Sequence, residues 1–135
     1  MDDLEFLREN VPQFEGYADE LARHRTDQCV RAWAGSMLAD VQARFAGSLA
    51  PNVAELLSAT IVRCQFPDQT FTTRLDVADV THTLEEALAQ IDRQLVELAD
   101  RAAMAPPDEL APILRDIDAA FDRRRQRVPE EPSVP

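Results

Sequence analysis

Apolar residues along this chain recur mostly at intervals of three and four, the period of a helix with one buried face. The longest series is Leu84, Leu88, Ile91, Leu95, Leu98 and Ala102, with Glu85, Glu86, Asp92, Arg93, Glu97, Asp100 and Arg101 off the seam. After Ala105-Pro106-Pro107-Asp108 the same spacing resumes at Leu110, Leu114, Ile117 and Phe121. Proline is accommodated in a helix only near its first turn, so Pro112 places the start of this last helix at Asp108 or slightly later. Two apolar seams joined by so short a link predict an antiparallel helical hairpin.

Upstream, Val30, Ala34, Met37, Leu38, Val41 and Phe45 mark one face of a long helix within about 14–45, widened by Trp33, with a break allowed near Thr26. Asp19 with Arg23, Asp27 with Arg31, and Asp40 with Arg44 place an acid four residues before a base, the orientation of a stabilising surface pair. Gly47-Ser48 stops this helix. Asn52 and Glu55 look like the cap of the next, whose stripe runs through Val53, Leu56, Leu57, Thr60, Ile61 and Cys64. A short segment, 2–10, ends before Val11-Pro12, and Thr83 with Glu86 has the spacing of a capping box for the seam helix. The stretch between is contested. Phe71, Thr73, Leu75 and Val77 alternate as a strand does, and Pro67-Asp68-Gln69 suits a turn. The expectation is helix to about Gln65, then an extended segment or short strand.

The fold expected is all-α: a small four- to five-helix bundle with a C-terminal antiparallel helical hairpin. The alternative is an α+β fold with one β-hairpin at about 60–77. Residues 1–127 form one helical domain in this reading. The tail, 128–135, carries three prolines and two glutamates and is expected to be disordered. Three glycines in 135 residues are too few for the many tight turns of an all-β fold.

Charge narrows the partners. Fourteen basic residues against 25 acidic ones give a net charge of −11, which repels nucleic-acid backbones and anionic lipid and suits a basic partner. All the strongly basic residues are arginine, a bias expected of a GC-rich, bacterial genome. An acidic N-terminus without a following apolar run does not resemble a signal peptide, and no segment has the apolar length of a membrane span, so a cytoplasmic location is expected. In size, acidity and helicity the chain is like small bacterial adaptors and secretion chaperones, a likeness of composition alone.

Candidate chemistry is sparse. His24 lies four residues after Glu20, and His82 four before Glu86, so each imidazole has a carboxylate one turn away and the four residues are the candidate metal ligands. The chain lacks the Glu-x-x-His repeats of a di-metal bundle, and surface or cap-proximal histidines are the simpler reading of both positions. Cys29 and His24 are five apart, about 140° around a helix, and so do not share a face. Cys29 and Cys64 both border apolar stripes, where cysteine acts as a small hydrophobe. No Gly-rich phosphate loop, nucleophile elbow, zincin motif or CxxC pair occurs. No catalytic residue and no cofactor are expected.

What remains is surface. Trp33 and Met37 could floor a partner groove, and Leu84, Leu88, Ile91 and Leu95 could form a dimer seam, although such stripes more often pack internally. Arg123, Arg124, Arg125 and Arg127 make the one dense basic patch, which either grips an anion or an acidic partner or lies solvated at a helix C-terminus. The leading expectation is a non-catalytic protein–protein interaction module (an adaptor, chaperone or assembly subunit) that binds another protein or itself as a homodimer. The alternative is a helical metal- or small-ligand-binding protein, with enzymatic use open, centred on His24 and His82.

Overall fold

The computed structural model describes residues 2–129, which form an all-α bundle. Its helices are α1 (Asp3–Asn10), α2 (Glu20–Arg44), α3 (Pro51–Gln65), α4 (Gln69–Val77), α5 (His82–Met104) and α6 (Leu110–Arg127), with a 3-10 turn, Pro107–Glu109, before α6. The described residues contain no strand. No helix among them is long and apolar enough to cross a membrane.

α5 is the central element and packs against α1, α2 and α6; α3 closes the bundle against α2 and α6. α5 and α6 form the expected antiparallel hairpin. One apolar cluster joins α2, α3, α5 and α6 through Leu38, Leu57, Leu95, Leu114, Ile117 and Phe121. A second lies where α1, the loop before α2, and α4 meet the first half of α5, through Leu7, Tyr17, Phe71, Leu75 and Leu88. Gly35 lets α2 and α3 approach closely, because a Cβ there would sit 3.1 Å from that of Cys64. Even an alanine there would require the Cys64 side to give by a few tenths of an ångström.

The stretch expected to be extended is helix α4. Asp68 caps it, its carboxylate accepting the Phe71 amide. Phe71 and Leu75 are then one turn apart and both buried, while Thr73 and Val77 face out. Residues at i, i+2, i+4 and i+6 match a strand, but the buried pair is equally a helical pair. Two caps also fall elsewhere than expected. Thr81, not Thr83, caps α5 by accepting the Leu84 amide. α3 begins at Pro51 after Ala50 with no side-chain cap, so Asn52 lies inside it. α2 runs unbroken past Thr26, whose hydroxyl instead donates to the Gly16 carbonyl at 2.6 Å.

The expected tail, 128–135, lies outside the described residues apart from Val128 and Pro129. Val128 is fully buried against the second cluster, so the packed domain extends at least that far.

Candidate functional site

The least expected feature is a buried ionic cluster at the junction of the two apolar clusters. Arg124 of α6, in the basic patch, is 2% exposed. Its Nη1 lies 2.8 Å from Asp27 Oδ1 of α2, and its Nε lies 2.8 Å from Asp92 Oδ1 of α5. Its guanidinium also lies over the Phe71 ring at 4.4 Å. The Tyr17 hydroxyl donates to the second oxygen of Asp92. Asp27 also accepts from Arg31, which reaches on to the Cys64 carbonyl of α3. Two aspartates and two arginines leave the cluster formally neutral, the condition under which buried charge is tolerated. Burial pushes the Asp92 carboxyl up from its ordinary range, with Arg124 and Tyr17 pulling it back. Burial and the neighbouring Asp92 raise the Tyr17 phenol in turn.

Sequence spacing contained a trace of this cluster. Ala89, Asp92, Val96 and Ala99 stand three, four and three apart, a second apolar seam beside the first with one aspartate on it. Arg124 follows Phe121 by three and precedes Val128 by four, in register with the α6 seam. Asp27 likewise lies three before Val30. A charge in register with a buried stripe is a buried charge in need of a partner. Asp27–Arg31 is accordingly a core pair rather than the surface pair its spacing suggested, and Arg124 is no part of a partner-binding surface.

The other candidate residues separate. Leu88, Ile91 and Leu95 are buried and Leu84 is half-buried, so the seam is internal packing and not a free dimer face. Arg125 turns to Asp68, which ties α6 to α4 at 2.6 Å. Burial alone would raise the Asp68 carboxyl; the Arg125 hydrogen bond and the Phe71 amide outweigh it and hold the group below its ordinary range. Arg123 and Arg127 stay exposed beside the α5–α6 groove.

The two histidines do not meet in one cluster among the described residues. His24 Nε2 lies 2.6 Å from Asp76 Oδ1 of α4, and Glu20, His24 and Asp76 each bring a ligand atom within 4.8 Å of the others. His82 pairs at 2.9 Å with Glu86 at the exposed start of α5. The candidate metal set Glu20, His24, His82 and Glu86 is thus split, and Asp76 is a potential third donor beside Glu20 and His24 that the sequence did not single out.

Trp33 and Met37 are half-buried on α2. The Trp33 indole N–H donates to Asp100 of α5 at 3.2 Å. Trp33, Phe14, Cys29 and Ala32 line an open groove of about 1020 Å³ between α2 and the loop that precedes it. A second open groove, lined by Gly35, Ala39, Cys64 and Pro67, follows the other side of α2. The two share Gln28, Ala32 and Ser36. Burial pushes the Cys29 thiol up to about 11, with Asp92 adding to the shift, which disfavours the thiolate that a nucleophile needs. Comparison with protein-family models, with curated proteins and with solved structures yields no match.

Proposed function

We propose that this protein is a non-catalytic protein–protein interaction module and that the outward face of α2 receives an amphipathic helix of another chain. The supporting observation is the ridge formed by Gln28, Ala32 and Ser36 between the two open grooves. The small side chains of Ala32 and Ser36 on this ridge, with a groove on each side, allow a second helix to approach closely and lay its own ridges alongside. One groove offers the apolar surfaces of Phe14, Cys29 and Trp33, and Phe66, 64% exposed, adjoins Gln65 and Pro67 of the other. Trp33 is pre-positioned by its bond to Asp100, which lowers the ordering cost on binding.

The test is native mass spectrometry of the protein from its own host beside Ala32→Arg and Ser36→Arg. Both sites are exposed, so stability should stay within about 0.5 kcal/mol of wild type. A defined second chain present in wild type and lost from both variants supports the reading; a second copy in its place makes the assembly a homodimer. Wild-type protein that is monomeric and alone, or a partner retained by both variants, overturns it.

A second reading, a metal-binding protein, draws support from Glu20, His24 and Asp76, whose mixed nitrogen and oxygen donors suit a first-row divalent ion. Cobalt titration followed by visible absorption discriminates. One equivalent lost with His24→Ala and kept with His82→Ala supports it; no uptake by wild type removes it.

A further inference from the structure

Of the four arginines at the end of α6, the fold consumes two. Arg124 pairs with Asp27 and Asp92, and Arg125 holds Asp68. Arg123 and Arg127 are left one turn apart on the groove between α6 and α5. Gln90 and Gln94, also one turn apart, line the opposite wall, and Gln126 completes the α6 side. Among the described residues no carboxylate lines this groove.

We propose that the α5–α6 groove binds a small polyvalent oxyanion, a phosphoryl group in particular, between Arg123 and Arg127. Arg123 Nη2 donates to Gln94 Oε1 at 2.8 Å, which orients the guanidinium and occupies that amide oxygen. The Gln94 amide nitrogen then remains as a donor only. Arg127 has no hydrogen-bond or ion-pair partner among the described residues. The wall therefore offers two guanidinium forks and an amide N–H₂, a donor surplus matched to the oxygens of a phosphoryl group.

Electrostatics set the size of the ligand. The net charge of −11 repels anions at long range, and the carbonyl end of α6 opposes them locally, so affinity rests on direct contacts. An adjoining groove shares Ala87, Gln90 and Arg127 but is lined by Asp2, Asp3 and Glu86. A ligand of one or two phosphoryl groups stays among the donors. A polynucleotide would run onto those three carboxylates and be repelled.

The experiment is an NMR titration of the full chain with pyrophosphate at constant ionic strength, following the side-chain amides of Gln90, Gln94 and Gln126. Saturable shifts are expected, with Arg123→Gln and Arg127→Gln each weakening binding by roughly tenfold or more. Arg115→Gln, an exposed arginine earlier on α6, should bind as wild type does. All three positions are exposed, so matching thermal unfolding curves confirm that the variants are folded. Shifts that fail to saturate, or equal weakening by Arg115→Gln, overturn the site. Citrate binding more tightly than pyrophosphate overturns the phosphoryl assignment.

Discussion

Where α2, α3, α5 and α6 pack on one another, the cluster they bury is aliphatic and aromatic, from Leu38 and Leu57 to Leu114 and Phe121. Where α1, α4 and the loop before α2 close over the same bundle, the interior also takes in Tyr17, Asp27, Asp92 and Arg124. The first region is held by apolar contact, which is non-directional and tolerates changes that conserve volume. The second adds to its apolar contacts pairings that work in one arrangement only, since a buried charge is tolerated only with its partner in place. α4 and the Tyr17 loop bury Phe71, Leu75 and Tyr17 in an apolar cluster of their own, and the ionic cluster adds direction where Tyr17 meets Asp92 and Phe71 meets Arg124.

Removing one partner is the harshest way to separate the two regions. Arg124→Ala strands the Asp92 charge in the interior, leaves Asp27 with Arg31 alone, and should cost about 3–5 kcal/mol in urea unfolding. Leu114→Ala in the apolar region removes a fully buried side chain and should cost about 2–5 kcal/mol. The magnitudes overlap, so a third variant is needed. Tyr17→Phe, Asp92→Leu and Arg124→Met together remove the charged centre but leave the Asp27–Arg31 pair whole. That triple variant should lie within about 1–2 kcal/mol of wild type, far closer than the single arginine change. If it is as unstable as Arg124→Ala, the cost lies in lost packing and the two regions do not differ in kind.

The same contrast governs what the sequence revealed. The α5 and α6 seams and the hairpin between them were legible because apolar period alone defines them. The ionic cluster was not, because a charged residue reads as surface by default even when, like Arg124, it stands in register with Phe121 and Val128. α4 was missed because its cap, Asp68, was read as a turn residue, although an aspartate three residues before Phe71 serves either purpose. The candidate sites depended on tertiary neighbours that no spacing encodes. Asp76 joined His24 from another helix, and Asp68 drew Arg125 out of the basic patch.

The smallest effect tests whether α4 is also held electrostatically at its edge. Asp68→Asn keeps a residue that caps helices well but removes the charge that faces Arg125. The wild-type carboxyl titrates below its ordinary value in the folded chain, so its contribution is complete above about pH 4 and fades as pH falls through the lowered folded value. Burial pushes Asp92, Asp100 and Asp118 the opposite way, so those groups favour the folded state as they take up protons. Thermal unfolding across pH 3–7 separates the two because only the Asp68 share disappears in the variant. Asp68→Asn should be less stable than wild type by less than about 1 kcal/mol at pH 7, the scale of a partly exposed pair. The difference should shrink steadily toward the bottom of the range. A gap that stays constant with pH would place the role of Asp68 in its cap geometry, and the ionic hold on this region would then end at Arg124.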